Sequence, residues 1–324
     1  MITGIHHTGL VVHDLDASID FFIESADFEV ASRFDLADTV VNRALFQLPD
    51  ATGRTALLQG TLGCIELFEF VANAGRSFQR PEIFAAGIRH VCLQGGMDNV
   101  LFDRMVARGA TAHAPLSGLG TGNLYAYIRD REGNVIEIEG VPWKPGEVTR
   151  AWYAHTAIVT PAIDRLSEFY AMVTGSPVHR RGSFGPDHKF DVVGGLHDAR
   201  FHGAWLRAGN AELEFWQYLT PLTEAVPPRA MSDLGWNHVC FESDDIDSDI
   251  DRLRTAGVEL HLPVSEFGNA RVAFCRDPDG NVFELLQPNE QATLNVATLH
   301  AGRDATALRA AKSALYAPSE AAAS

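Results

Sequence analysis

Two short stretches, GIRHVCL at residues 87–93 and GWNHVCF at residues 235–241, carry Gly, His, Val and Cys in the same order 148 residues apart. A second pair, DREGNVIEIE at 130–139 and DPDGNVFELL at 277–286, is separated by 147 residues. Self-similarity at one spacing over most of a chain indicates a duplicated structural unit. We therefore interpret the chain as two copies of one unit, joined near the Pro- and Gly-containing segment 140–148.

Each copy divides into two related halves. The first half opens with IHHTGLVVHDLDASIDFF (5–22), and the second with GIRHVCLQGGMDNVLFDRMVARG (87–109). Both contain a short apolar strand with a His, followed by apolar residues at helical spacing. Further strands are predicted at RALFQL (43–48) and CIELFEF (64–70), with turns such as EGN at 132–134 between later ones. The pattern predicts an α+β protein of four βαβββ modules.

The length of 324 residues suits two domains of about 150 residues each. We predict a first domain at residues 1–142 and a second at residues 149–290. The segment 291–324 lies outside the repeat and is interpreted as a C-terminal tail.

The composition limits the partners and the compartment. The formal net charge of −16 disfavours binding to the phosphate backbone of nucleic acid. No stretch approaches the roughly 18 apolar residues of a spanning helix, and the start lacks the basic region of a signal peptide, so we expect no membrane partner. Four cysteines without a CxxC pair fit a reducing cytoplasm. We expect a small-molecule substrate; a homodimer is compatible with the sequence but not required by it.

Four ionisable residues recur at matched positions in both copies, in the order His, Glu, His, Glu. They are His7, Glu66, His90 and Glu137 in the first copy, and His155, Glu214, His238 and Glu284 in the second. His7 is chosen over its neighbour His6 because His7 aligns with His155, whereas His6 aligns with Ala154.

The four glutamates lie in apolar strand sequences. Glu66, for example, shares its strand face with Cys64 and Phe68. A carboxylate in such a setting loses hydration at high cost unless a cation compensates it, and no Lys or Arg stands beside these residues in sequence. A bound divalent cation would compensate the charge. Two imidazoles and two carboxylates suit Zn²⁺, Ni²⁺, Co²⁺, Mn²⁺ or Fe²⁺, so we predict all eight residues as metal ligands.

The His-bearing first strand followed by V-x-D-L-D and a helix, together with D-x-x-G-N-x-x-E near the end of a module, resembles the vicinal oxygen chelate superfamily. This superfamily includes glyoxalases, epimerases, extradiol ring-cleaving dioxygenases and bleomycin-type antibiotic-resistance proteins. The resemblance covers about residues 3–287. It implies that the modules pair into cup-shaped mixed sheets, with metal ligands on the first and last strands of paired modules.

Two pairing schemes occur among such proteins, and the sequence leaves both open. Modules one and two can pair, with three and four, or modules one and four can pair, with two and three. The second scheme would group His7 and Glu66 with His238 and Glu284. It would group His90 and Glu137 with His155 and Glu214.

The favoured reaction is isomerisation, epimerisation or lysis of a small oxygenated substrate through a metal-stabilised enolate, with Glu137 and Glu284 as catalytic bases. The alternative is Fe²⁺-dependent ring cleavage of a catechol- or hydroquinone-type aromatic. The resemblance to dioxygenases predicts a Tyr three residues before the D-P turn, yet Phe274 stands there in the second copy. Tyr127 does stand at that position in the first copy, but Arg131 replaces the Pro. A second alternative is a resistance-type protein that sequesters a ligand without turnover.

Overall fold

The structure is a computed structural model that describes residues 1–77, 80–142 and 151–300. Most of the predicted seam at 140–148 and the predicted tail beyond residue 300 lie outside the described residues. The described part of the tail ends in a short 3₁₀ turn at Thr298–His300.

The described chain contains the four modules that the sequence predicts. The first copy consists of β1 (Ile2–Val11), α1 (Leu15–Ala26), β2 (Glu29–Leu36), α2 (Val40–Phe46), β3 (Gly53–Gln59), β4 (Cys64–Phe70), a 3₁₀ turn (Val71–Asn73), β5 (Gly87–Gly95), α3 (Val100–Ala107), β6 (Thr111–Ala112), β7 (Ser117–Gly118), β8 (Leu124–Arg129) and β9 (Val135–Gly140). The second copy consists of β10 (Trp152–Val159), α4 (Ile163–Thr174), β11 (Val178–Phe184), α5 (His188–Gly194), β12 (Arg200–Ala208), β13 (Ala211–Thr220), β14 (Gly235–Ser243), α6 (Ile246–Thr255), β15 (Leu260–Phe267), β16 (Ala270–Arg276) and β17 (Val282–Pro288). The first and third modules carry an additional short helix, α2 or α5. Over the described ranges, no helix has both the length and the apolar character needed to cross a bilayer.

Helix α1 forms where the apolar spacing predicts it. The Asp14 side chain caps the helix by accepting a hydrogen bond from the backbone N–H of Ala17. Leu15, Ile19 and Phe22 are buried on one face. The apolar stripe therefore determines which side of the helix meets the core.

The predicted strand at 43–48 is wrong, because residues 43–46 belong to helix α2. The Thr39 hydroxyl accepts a hydrogen bond from the backbone N–H of Asn42 and so begins the helix. Leu45 and Phe46 are both buried although they are adjacent in sequence. Successive residues of a strand point to opposite faces, whereas a short helix can bring two neighbours against one apolar surface.

The strands form two mixed sheets, as the family resemblance implied. Sheet 1 has the order β15-β16-β17-β14-β1-β4-β3-β2. Sheet 2 has the order β11-β12-β13-β10-β5-β9-β8-β6, with β7 also paired to β8. At the centre of sheet 1, β1 and β14 run antiparallel, and each is parallel to the last strand of its own module. Sheet 2 repeats this arrangement around β5 and β10.

The sheets join modules from different copies. Sheet 1 combines modules one and four, and sheet 2 combines modules two and three. Of the two pairing schemes that the sequence leaves open, the structure has the second. Each sequence repeat therefore contributes one module to each sheet.

A single apolar cluster connects the two sheets. It includes Phe22 of α1, Met105 of α3, Tyr170 of α4 and Ile250 of α6, all buried. Because helices from all four modules share this core, burial of apolar surface holds the two sheets together.

Candidate metal centres

Four predicted residues meet on sheet 1, in a group called site 1: His7 on β1, Glu66 on β4, His238 on β14 and Glu284 on β17. The Nε2 atoms of His7 and His238 are 3.0 Å apart. The Nε2 atom of His7 is also 3.1 Å from an Oε2 atom of each glutamate. From Nε2 of His238, Oε2 of Glu284 is 3.3 Å away and Oε2 of Glu66 is 3.9 Å away.

The register of the central strands brings these side chains together. In the antiparallel pair of β1 and β14, His7 lies opposite Cys240, and His238 lies opposite Gly9. A Cβ atom on Gly9 would lie only 2.2 Å from the His238 ring. Glycine at this position therefore leaves the space that the imidazole occupies.

The other four predicted residues meet on sheet 2, in a group called site 2: His90 on β5, Glu137 on β9, His155 on β10 and Glu214 on β13. Nε2 of His155 is 2.9 Å from Oε2 of Glu137 and 3.1 Å from Oε2 of Glu214. The same two oxygens are 3.5 and 3.6 Å from Nε2 of His90. All four residues of site 2 are buried.

Every predicted ligand thus lies in one of two groups of four, and each group takes two residues from each copy. Within a group, one nitrogen or oxygen from each residue lies within 4.8 Å of the others. The pairing of modules one with four and two with three produces this distribution.

Charge and burial oppose each other in site 1. Burial lowers the pKa of His7, but the charge of Glu66 and a hydrogen bond with Glu284 outweigh it and raise that pKa to about 10. Burial raises the pKa of Glu284, but hydrogen bonds with His238 and His7 outweigh this effect and lower it. Without a cation, site 1 therefore stabilises ionised carboxylate beside protonated imidazole.

Site 2 has the same balance. Burial lowers the pKa of His155, but the charge of Glu214 leads the effects that raise it well above its ordinary value. Burial raises the pKa of Glu214, but the charge of His155 and its hydrogen bond hold it well below the ordinary value. The pKa of Glu137 is also lowered, because hydrogen bonds with His155 and His90 outweigh burial.

The geometry of both sites fits a divalent cation. Ligand atoms about 2.1 Å from one ion, at angles of 90–109°, lie roughly 3.0–3.4 Å from each other. Most distances within the two sites fall in or near this range. Among the described residues, the buried Nε2 atoms of His90 and His155 and the Oε2 atom of Glu284 lack a hydrogen bond of good geometry. Buried polar atoms are rarely left this way, and one cation in each site would satisfy all three.

Four side chains that contact the ligands were not selected from the sequence. Trp205 and Trp216 each donate an indole N–H to Glu214. Asn237 contacts His238, and His6 contacts His7. The signal that would have found them is a difference between the two copies, since these four positions carry other residues in the matching module.

The surroundings of the two sites differ in polarity. Near site 1, the rings of Phe68 and Phe274 lie 6.1 and 5.9 Å from the His238 ring, centroid to centroid. Near site 2, the ring of Tyr127 lies 5.2 Å from that of His90. Tyr127 also lines a cavity of about 370 Å³ together with Val135 and other residues of both copies. Site 2 thus adjoins a space large enough for a small molecule.

Known proteins resemble the chain in sequence pattern and in fold. The family model of the Glyoxalase/Bleomycin resistance protein/Dioxygenase superfamily matches residues 4–138 and 152–285. No curated protein matches the chain in sequence.

Solved structures share the whole architecture at low identity. Glyoxalase I from Zea mays is 14% identical, with 93% of this chain and 96% of that chain covered and a TM-score of 0.62. A proposed dioxygenase from Bacillus subtilis subsp. subtilis str. 168 is 13% identical, with 98% of each chain covered and a TM-score of 0.60. At these identities the likeness shows the fold and leaves the reaction open.

Both repeats match one family model, and together the matches cover most of the chain. The paired βαβββ modules agree with that assignment. The chain belongs to the Glyoxalase/Bleomycin resistance protein/Dioxygenase superfamily.

Proposed function

We propose that this chain is a divalent-metal-dependent enzyme of the glyoxalase or epimerase type, an isomerase or lyase that acts on a small oxygenated substrate. The observation that carries the proposal is the convergence of two imidazoles and two carboxylates on each sheet at ligand-to-ligand distances. All eight residues are proposed as ligands, and the chemistry of the set suits Zn²⁺, Ni²⁺, Co²⁺, Mn²⁺ or Fe²⁺.

A divalent cation bound there would withdraw electron density from two adjacent oxygens of the substrate, which acidifies a neighbouring C–H bond. Glu137 and Glu284 are the proposed bases, each taking that proton and returning it to the product. Both carboxylates are buried, and the exclusion of water would strengthen the electrostatic effect of the cation on the substrate.

The contacts within site 2 favour Glu137 over Glu214 as the base. Indole donors hold both oxygens of Glu214, each at 2.7 Å. The ion-pair partners of Glu137 are the two histidines, His90 and His155. Glu137 therefore has fewer bonds to break when its carboxylate turns toward a substrate.

Elemental analysis of protein purified without added metal is the first test, and about two metal ions per chain are expected. The second is NMR detection of solvent deuterium entering a panel of 2-hydroxycarbonyl and 2-oxocarbonyl compounds. A Glu137→Gln/Glu284→Gln double variant should lower the exchange rate about 10²–10⁴-fold. Full activity in that variant would contradict the assigned role of the two glutamates.

Glu139 offers a matched control on the same strand. Its carboxylate is buried and accepts hydrogen bonds from Gln94 at 2.5 Å and Asn123 at 2.7 Å, outside site 2. A Glu139→Gln variant should retain deuterium exchange. Equal losses in both variants would mean that the loss reflects damage to strand β9 rather than to the base.

One observation favours ring cleavage by a dioxygenase as a second candidate function. Tyr127 stands against His90, and burial, reinforced by the charge of Glu137, raises its pKa well above 10, so the phenol keeps its proton. A protonated phenol beside the proposed metal ligands is a proton donor for an oxygenated aromatic substrate. Catechol-dependent O₂ uptake after anaerobic loading with Fe²⁺ would establish this candidate over the first. Tight ligand binding without turnover in either assay would instead indicate a sequestering protein.

A further inference from the structure

Each site has two histidines and two glutamates as candidate ligands, but different side chains contact those ligands in the two sites. In sheet 2, Trp205 pairs with Glu214 across strands β12 and β13. In sheet 1, Leu57 pairs with Glu66 across β3 and β4 in the same way. The residue two positions after each glutamate also differs, because Trp216 in site 2 corresponds to Phe68 in site 1.

Both tryptophans donate hydrogen bonds to the carboxylate of Glu214. The Trp205 indole donates to Oε1 and the Trp216 indole donates to Oε2, each at 2.7 Å. Oε2 is also the oxygen that lies 3.1 Å from His155. The indole N–H therefore stabilises part of the negative charge on this oxygen. The oxygen would bind a cation more weakly as a result. Among the described residues Glu66 has no such donor, because Leu57 and Phe68 carry none.

In site 1, neighbouring side chains hydrogen-bond the imidazoles rather than a carboxylate. Nδ1 of His238 lies 2.8 Å from Oδ1 of Asn237. The amide nitrogen of Asn237 donates to the backbone carbonyl of Met231 at 2.7 Å, which leaves Oδ1 to accept from the ring. Nδ1 of His238 therefore carries the proton, and the lone pair of Nε2 points to the ligand group.

His7 has an analogous support. Its Nδ1 lies 2.8 Å from Nδ1 of His6, and the His6 ring also hydrogen-bonds the backbone of Leu294. The His6 ring donates its one N–H to the Leu294 backbone, which leaves its Nδ1 to accept a proton from His7. Nδ1 of His7 therefore donates to His6, so Nε2 is the nitrogen that would bind a cation in site 1.

The side chains at the matching positions of site 2 differ, and His155 hydrogen-bonds the thiol of Cys92, a weak acceptor, instead of an imidazole. Ala154 stands where site 1 has His6, and Arg89 stands where it has Asn237. The Arg89 guanidinium donates to the backbone carbonyls of Ala85 and Ala86, and it has no atom that accepts a proton from His90. An acceptor on the far nitrogen of a ligating imidazole orients the ring and increases its basicity, and losing it typically costs 10–100-fold in metal affinity.

We infer that the two sites are not equivalent, and that site 1 binds a divalent cation at least about tenfold more tightly than site 2. This inference rests on the proposed function, because it requires that both groups bind metal. It assigns His6 and Asn237 as positioning residues of site 1, and Trp205 and Trp216 as positioning residues of site 2.

The test is calorimetric titration of metal-free protein with Co²⁺ in two variants that each retain one site. His155→Gln leaves site 1, and His7→Gln leaves site 2. The dissociation constant of Co²⁺ should be at least tenfold lower in His155→Gln than in His7→Gln. Equal constants, or tighter binding in His7→Gln, would overturn the inference while leaving the proposed function intact. No Co²⁺ binding in the unmodified protein would instead refute the proposed function.

Second substitutions within each background identify the cause. Adding Asn237→Ala to His155→Gln should weaken Co²⁺ binding 10–100-fold. Adding Trp216→Phe to His7→Gln should strengthen Co²⁺ binding, since Glu214 then keeps its full charge for the cation. An unchanged constant in both cases would overturn the assigned roles.

Trp236→Phe is the matched control, because that indole donates to the backbone carbonyl of Val135 rather than to a carboxylate. It should leave the Co²⁺ affinity of the His7→Gln background unchanged. A strengthening equal to that of Trp216→Phe would also overturn the role assigned to the tryptophan.

Discussion

Pairs of histidine substitutions test whether the metal ligands are grouped by sheet or by sequence copy. His7 and His238 come from different copies yet their Nε2 atoms are 3.0 Å apart in site 1. His7 and His90 come from the same copy yet lie in different sites. A His7→Gln/His238→Gln variant should therefore lose one metal ion per chain. A His7→Gln/His90→Gln variant should lose both.

The difference in stability follows from mass action. At a free metal concentration of 100 times the dissociation constant, each occupied site adds about 2.7 kcal/mol to the free energy of unfolding. For a chain of this length, that is about 4 °C in melting temperature per site. Added metal should raise the melting temperature of the His7→Gln/His238→Gln variant by about 4 °C and leave that of the His7→Gln/His90→Gln variant unchanged.

The assay combines elemental analysis with thermal unfolding of each variant with and without metal. Both variants carry two His→Gln changes, so the number of substitutions is matched, and circular dichroism of the metal-free proteins checks the fold. One metal ion per chain in the variant changed at His7 and His90, with none in the variant changed at His7 and His238, would contradict the grouping of ligands by sheet.

Three further predictions concern stability away from the sites. Tyr170→Phe removes the hydrogen bond that the buried hydroxyl donates to Asp277 at 3.0 Å, and urea unfolding should show a loss of about 1–2 kcal/mol; an unchanged midpoint would contradict this. Arg104→Ala removes an ion pair in which the guanidinium makes two hydrogen bonds to Asp27, linking α3 to α1. Because both side chains are about 30% exposed, the free energy of unfolding should fall by only about 1 kcal/mol. A fall of more than about 3 kcal/mol would contradict this. Burial leads the effects that raise the pKa of Asp277 from 3.8 to about 6, so the stability linked to its protonated form is present below pH 3.8 and is lost as the pH rises through 6. The free energy of unfolding of Asp277→Asn minus that of the unmodified protein should therefore rise by about 2.4 kcal/mol from pH 4 to pH 7, and a constant difference would refute the shift.

All eight candidate ligands could be predicted because a strand and its duplicate place the same chemical group on the same face. The identity of His7 over His6 followed from alignment with His155 alone. The module pairing could not be predicted in this way. It depends on whether β1 meets β14 or β5, and the two candidates carry the nearly identical segments GWNHVCF and GIRHVCL.

Other features differ between the two copies, so a comparison of shared residues does not detect them. Trp205 and Trp216 contact Glu214 from positions where the first copy has apolar residues, so the comparison of copies hides them. Helix α2 was mistaken for a strand because a short apolar segment fits either structure, and burial against the core decides between them. Tertiary contacts, rather than local preference, determine both features.

The cross-copy pairing of strands sets an order for synthesis on the ribosome. Site 2 has all its side chains once Glu214 has been added, whereas site 1 waits for Glu284, 70 residues later. At about 5–20 residues per second, that delay is about 4–14 s. Until β14 emerges, β4 is the only one of its two final partners available to β1, and the other edge of β1 offers unpaired backbone groups to any neighbouring strand. We expect the nascent chain to need chaperone protection at β1, because more than 200 residues separate this strand from its final partner β14.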